Sequence, residues 1–453
     1  MSAPPPKKLR ELRQRRSGGR VPWAILREER AQTYARGPAS VDELKEWPSA
    51  LARALCGDSQ DVEMMLRLET NLNRGTVWYT DYSGVDCVRE AARLGLEGLK
   101  RQYGWDFSNG PDPLLFIRTC DKDRNKNELC CEASRVLDGG KACHFGDLIS
   151  RLPQWAQDYT AASTPEEDAS VNDKRAAHAA YNKWIQDNRL LLYPPQAKCY
   201  CKVHEKMCQV LPTFDRNSQG VHQSAGCVSH IEQLSSAPPS SRIRINAAGV
   251  TCVGWSSEGH GAGTGHASEV PHAVWLGERK VAMENGFEDV AFVECTPRYP
   301  ASDKLGSALG KDALIIEVMT GPEYMGWPVK RKRVLCAVLC ARTVEWMGPP
   351  TAELIQQDFD RRFGRSVALT GEDLFQASVD ERHNEYAVLA RKARNQVSKE
   401  DVPRLLNTGE MLGLMLPPGA LDRMDEWLRR REEFRVCRVG IVPFVHAAKS
   451  LLF

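Results

Sequence analysis

From Thr76 onward the chain switches repeatedly between two hydrophobic rhythms, and that alternation limits the folds open to it. Residues 76–82, 113–120, 141–145, 242–250, 289–293, 314–319 and 334–341 are apolar or β-branched runs of strand length. Between them, residues 85–103, 127–137 and 267–285 carry the spacing of amphipathic helices. Strands that take turns with helices predict an α/β fold, a mainly parallel, doubly wound sheet with helices on both faces. Ligands of such a sheet bind beyond the carboxyl ends of its strands. Chemistry-bearing residues at strand ends are therefore the first candidates for function.

The flanks read differently. Residues 41–75 have helical spacing through Leu44, Trp47, Leu51, Leu55, Val62, Met65 and Leu68, and are expected to cap the sheet domain. Residues 1–40 read as a disordered basic tail, with Lys7, Lys8, Arg10, Arg13, Arg15, Arg16 and Arg20 beside several prolines. Such an arm can touch phosphate, serve as a nuclear address, or simply stay solvated. Residues 151–241 interrupt the alternation and read as a polar insertion, and 343–453 as a charged, helical C-terminal lobe. That leaves 41–150 and 242–342 for the main α/β domain.

Lysine plus arginine (61) nearly balance aspartate plus glutamate (59), which excludes a nucleic-acid coat or an acidic tail as the role of the whole chain. The 15 cysteines follow no regular disulfide framework. With no secretory signal and no membrane-length apolar stretch visible, a reducing compartment is expected, with most thiols buried as small hydrophobes. One group stands apart within the insertion: Cys199, Cys201, His204 and Cys208 lie close in sequence, followed by Cys227 and His230. Cys and His at such gaps can close a tetrahedral zinc site, and a poorly apolar insertion would gain from one; reduced loop thiols are the plainer alternative.

Three strand-end features suggest covalent chemistry. Cys252 follows the run Ile245-Asn246-Ala247-Ala248-Gly249-Val250-Thr251 and precedes a glycine-rich loop, 256–266. Glu294 closes the next strand, and Arg331 and Arg333 stand at the head of the last one. A thiol, an acid and a guanidinium suit nucleophilic attack on an electron-poor ring. Taken alone, each has a plainer reading: a buried thiol, a strand-end turn before Thr296-Pro297, and a solvated basic patch.

In order along the chain, these parts resemble the cytosine-C5 DNA methyltransferases. Asp81-Tyr82-Ser83-Gly84 before a helix is similar to that family's first motif. Asp121 stands where its ribose-binding acid stands, and Gly146-Asp147-Leu148 where its adenine-facing aspartate does. Thr251-Cys252, Glu294-Cys295-Thr296 and 329–333 stand where the family has its nucleophile, its acid and its paired arginines. The resemblance covers residues 76–150 and 242–342. It implies a Rossmann-like class I methyltransferase fold, and S-adenosylmethionine held by Tyr82, Ser83, Gly84, Asp121, Asp147 and Leu148. It further implies methyl transfer to cytosine C5 through a Cys252 adduct, with Glu294, Arg331 and Arg333 in support. DNA is the implied partner, with RNA as a variant of the same chemistry and a non-catalytic nucleic-acid-binding module as the other alternative. A monomer in the nucleus, free of membrane, completes the expectation. The chain departs from the family pattern at Asp86, Cys87, Thr251, Cys295 and Val329.

Overall fold

The computed structural model describes residues 34–55, 59–84, 86–137, 139–194, 196–211, 242–250, 253–256, 262–329, 331–369, 379–392 and 396–408. Cys252, Cys227, His230 and residues 1–33 of the basic arm lie outside the described residues, while Ala35–Arg36, expected within the disordered tail, form a strand. The chain divides into two compact units, residues 1–37 with 42–367, and 38–41 with 368–453. In the second, helices Val379–Lys392 and Val402–Thr408 close a small core of Ala387, Ala390, Val397, Val402 and Leu405.

The first unit opens with a two-residue strand, Ala35–Arg36, paired in parallel with Arg365–Ser366, and continues with helices α1 (Trp47–Leu55) and α2 (Ser59–Arg74). Strand β1 (Thr76–Asp81), helix α3 (Cys87–Tyr103), β2 (Leu114–Cys120), α4 (Arg124–Leu137) and β3 (Cys143–Phe145) follow. Next come α5 (Gln154–Ser163), α6 (Val171–Leu192) and a hairpin of β4 (Lys198–Cys201) with β5 (Lys206–Gln209). The rest is β6 (Ile243–Gly249), α7 (Glu269–Glu284), β7 (Val290–Cys295), α8 (Ala301–Leu309), β8 (Ala313–Thr320), β9 (Arg333–Cys340) and α9 (Ala352–Phe363).

Seven strands form one sheet in the order β3-β2-β1-β6-β7-β9-β8. From β3 to β7 neighbouring strands are parallel, while β9 runs antiparallel between β7 and β8. The chain starts at the centre, winds outward to β3, and returns beside β1 as β6. This is a Rossmann-like sheet whose order reverses between β1 and β6, the place where such sheets open a crevice. Register keeps the strand ends level: Asp81 lies opposite Ala248, Gly249 opposite Glu294, and Cys120 opposite Phe145.

Alternation along the strands explains the two cores. Ile245, Val290, Leu314, Ile316 and Leu339 meet Ile355 of α9 on one face. Ala248, Ala291, Val293, Val334, Cys336 and Val338 turn to the other, where Val274 and Trp275 of α7 and Leu305 of α8 cover them. Each fully buried Val, Leu or Ile side chain among them contributes about 1.5–3 kcal/mol. The sequence pattern did not reveal α8, a nine-residue helix rich in small residues.

Helices α5 and α6 come from the stretch read as an insertion, yet they are a layer of the main fold. Tyr181, Ile185, Leu192 and Tyr193 enter the same core as Trp275. Gly277 permits the approach of α6 to α7, since a Cβ there would stand 2.6 Å from Ile185 Cγ2. On the C-terminal side, Gln356 of α9 bonds the Met319 backbone in both directions. Residues 343–367 thus belong with the sheet. No described helix is long and apolar enough to cross a membrane.

Candidate active site

At the end of β1 the backbone turns sharply, with Tyr82 at φ 52, Gly84 at φ 60 and Asp86 at φ 60. Ser83, expected to meet a cofactor, instead locks this turn to β2: its Oγ accepts from the Cys120 N–H at 3.0 Å, and its own N–H donates to the Cys120 carbonyl at 2.9 Å. The Gly84 N–H donates to Asp121 Oδ2 at 2.8 Å, so the ends of β1 and β2 share one carboxylate. Asp147, past β3, accepts from the Ile149 N–H at 3.0 Å, and Leu148 is buried in the core. Tyr82, Gly84, Asp121 and Asp147 therefore line adjacent strand ends. Among the described residues the buried Tyr82 hydroxyl has no hydrogen-bond partner, and burial, with the charges of Asp81 and Asp147, pushes its pKa well above the usual phenol value.

Asp86 stands where the resembling family has glycine. Its carboxylate turns inward to Arg89 at 2.6 Å and accepts from Thr80 Oγ1 at 3.1 Å. Burial nevertheless pushes this carboxyl upward from the ordinary value, against the pull of Arg89. The charge is met inside the fold, and Cys87 beside it is exposed.

Behind this turn lies a charge network that the sequence did not reveal. Asp81 accepts from Arg118 at 3.2 Å, Arg279 at 2.9 Å and Asn246 at 2.8 Å, and also from Arg151. Glu278 accepts from Arg118 at 2.7 Å and Arg151 at 2.9 Å, and pairs with Arg279. Every one of these ionic side chains is at most 2% exposed. Burial opposes ionisation, but the guanidiniums of Arg151, Arg118 and Arg279 outweigh it and hold the Asp81 carboxyl far below the carboxylate range. Isolated buried charges are prohibitively costly, so this arrangement persists only because each is met several times over.

Across the switch point the charges are open. Glu294 at the end of β7 and Arg333 at the head of β9 form an ion pair with side chains 40% and 17% exposed. Gly249, the last residue of β6, faces Glu294: a Cβ there would lie 3.9 Å from Glu294 Oε2. Arg333 reaches Glu294 through Nε and the Lys332 carbonyl through Nη1 at 2.8 Å. Arg331 is exposed, and its backbone N–H donates to Glu323 at 3.1 Å. The structure thus brings Glu294 and Arg333 together at the end of β6 and leaves the Arg331 side chain outward. Cys295 is buried in the core, and Val329 is exposed.

The segment after Cys252 is anchored at both ends. The Thr296 hydroxyl lies 3.5 Å from the Trp255 carbonyl, and the Trp255 ring packs edge-on to Tyr299. Gly254 is pressed against His266, where a Cβ would stand 2.6 Å from the His266 Cβ. Thr264 is held by α6, its carbonyl 2.8 Å from His178 Nδ1. The stretch expected as a mobile loop, 256–266, thus has a packed C-terminal part, while residues 257–261 lie outside the described residues.

The hairpin carries a second cluster. Cys143, Cys201, His204 and Cys208 bring their ligand atoms within 4.8 Å of one another. Cys199, expected among them, is absent from this group and lies with its Sγ 3.5 Å from Ser150 Oγ. Alternation along β4 puts both thiols on its buried face with Tyr200 exposed on the other, and along that face Cys199 meets Ser150 while Cys201 meets His204. Cys143, which takes the fourth place, sits at the far edge of the sheet, and no local spacing connects it to the other ligands.

No family model matches the chain, and no curated protein matches it. Among solved structures, the Entamoeba histolytica methyltransferase EhMeth aligns over 61% of this chain at 9% identity and a TM-score of 0.26. The chain spans 55% of that structure's length. The Rossmann-like class assigned above rests on the strand order and direction of the sheet itself.

Proposed function

We propose that the chain is an S-adenosylmethionine-dependent methyltransferase acting on C5 of cytosine in DNA. The observation that carries this reading is the open Glu294–Arg333 pair beside Gly249, three residues before Cys252 in the chain. A donor bearing a nucleoside fits the ends of β1, β2 and β3. There the buried Tyr82 hydroxyl lacks a partner among the described residues, and the half-buried Asp121 and Asp147 carboxylates retain acceptor capacity for ribose hydroxyls and an adenine amine. When bound, S-adenosylmethionine supplies an electrophilic methyl group.

The chain's residues do the rest. Cys252 as thiolate adds to C6 of the pyrimidine, forming a Sγ–C6 bond and moving the C5–C6 π electrons onto C5. Glu294 holds the N3 and amine edge, and Arg333 keeps Glu294 in place through Nε while Nη2 is offered to the C2 carbonyl. Once C5 has taken the methyl group, the donor leaving as its thioether, loss of the C5 proton to water and return of the Sγ–C6 bond electrons to sulfur would restore the ring and the thiolate. A base inside a duplex cannot reach these groups, so the target must flip out of the stack. Labelled donor with cytosine-bearing DNA is expected to yield labelled 5-methylcytosine. Label in RNA alone would move the substrate. Oligonucleotide binding without label in either would contradict the reading and leave a binding module.

A further inference from the structure

We propose that Cys143, Cys201, His204 and Cys208 hold one zinc ion, which staples the β4–β5 hairpin to the edge strand of the sheet. The geometry is that of a closed site. His204 Nδ1 lies 3.5 Å from Cys143 Sγ, 3.2 Å from Cys201 Sγ and 3.5 Å from Cys208 Sγ. Tetrahedral zinc with ordinary Zn–S and Zn–N bonds places its nitrogen and sulfur ligands about 3.5 Å apart. The other ring nitrogen, Nε2, lies 2.8 Å from the Gly140 carbonyl. A proton on Nε2 satisfies that carbonyl and leaves the Nδ1 lone pair facing the sulfurs, the outer contact that metal-bound histidines make.

The surroundings suit thiolates. The Cys143, Cys201 and Cys208 residues are 6%, 0% and 3% exposed. The His144 N–H points at Cys201 Sγ at 3.4 Å, a donor that offsets sulfur charge. Three sulfurs and one imidazole fill a tetrahedral shell, so the site is structural, with no position left for a reactive water. Soft ligands in this number select zinc over the hard cations.

The staple solves a problem set by the topology. Strand β3 is the sheet's edge and has only three residues, so one side of its short backbone faces no other strand of the sheet. The Lys202 N–H donates to the His144 carbonyl at 2.9 Å, beginning to cover that edge. The hairpin alone is four residues a side, too short to be stable by itself. One ligand from β3 and three from the hairpin let the ion bind the two together. The hairpin turn then sets Lys202 against Gly146, where a Cβ would meet Lys202 Cε at 2.9 Å.

Metal analysis of the purified full chain tests this independently of any methyl transfer. Zinc is expected at one equivalent per chain. Cobalt substituted for it is expected to give the visible bands of a tetrahedral thiolate site. Cys208→Ser and Cys143→Ser are expected to lose the metal, and Cys199→Ser, in the same hairpin, to retain it. Should the ligand variants not fold, chelation of the wild-type chain gives the second reading: zinc release with a lowered melting temperature. Zinc near zero in the wild-type chain, an octahedral cobalt spectrum, or metal lost with Cys199 and kept without Cys143 would overturn the proposal.

Discussion

The two halves of the sheet use the same chemistry, carboxylate against guanidinium, to opposite ends. Behind β1, Asp81 and Glu278 are each met by Arg118, Arg151 and Arg279, and none of these side chains is more than 2% exposed. Beyond β7, Glu294 meets Arg333 once, with its side chain 40% exposed. The first set has every charge committed and no route to a ligand, so it is architecture. It fixes the turn that carries Tyr82 and Gly84. The second set keeps acceptor and donor capacity at the crevice, which is what a substrate-binding pair requires. Ion pairs are therefore to be read by their burial and number of partners, because identity alone does not separate scaffold from site.

The contrast can be broken most forcefully at Asp81. Asp81→Asn leaves the guanidiniums of Arg118, Arg151 and Arg279 under-compensated in a dry interior. The expected cost is about 3–5 kcal/mol of stability, read by chemical denaturation. A loss no larger than that of a surface pair would show that the network is not what holds the turn.

A second effect sits beneath the anchored loop. His272 is buried against Tyr299, its Nε2 2.9 Å from the phenol oxygen. Burial, only partly offset by Glu269, pushes its pKa down to about 4. The ring is thus neutral when folded and takes a proton on unfolding below the ordinary value of 6.5. The unfolded state binds more protons in that window, so stability falls as pH drops from about 6.5 to 4, by roughly 3 kcal/mol in all. His272→Gln should flatten this slope in melts across that range. An unchanged slope would assign it to another group.

The loop flank is the next in size. Gly254→Ala brings a Cβ to 2.6 Å from the His266 Cβ and 3.0 Å from the Gly263 carbonyl. Overpacking of this kind is expected to cost about 1–3 kcal/mol, and protease cutting near residues 254–266 should quicken. Unaltered protection would mean that the flank yields freely.

How much of this was legible in the sequence depends on whether local pattern and tertiary role agree. Strand β6 was legible because Ile243 and Ile245 alternate with residues of the opposite face, and Glu294 because it ends a strand and precedes Thr296-Pro297. Arg118 was not. It occupies an inward position of β2, but charge argues for an outward one, and Glu278, the partner that resolves the conflict, lies 160 residues on. Cys143 was hidden for the same reason, its fellow ligands arriving only after two helices. The role of residues 151–194 was masked by polarity, since α6 buries one face through Tyr181 and Ile185 and shows Leu190 and Leu191 on the other. Boundaries moved little: the helix expected over 267–285 is Glu269–Glu284, and the strand expected over 289–293 extends to Cys295.

The smallest expected change in stability belongs to the pair beyond β7. Glu294→Gln removes a half-exposed ion pair, and folding should weaken by less than about 1 kcal/mol. Its effect on chemistry should be large, a loss of roughly 10²–10⁴-fold in rate. The decisive measurement is the intact mass of the chain after incubation with S-adenosylmethionine and DNA carrying 5-fluorocytosine, which cannot shed its C5 substituent. A covalent complex is predicted for the wild-type chain, none for Cys252→Ser, and a strong reduction for Glu294→Gln with its melting temperature lowered by at most about 4 °C. An adduct that survives Cys252→Ser, or its absence from the folded wild-type chain, would contradict the account.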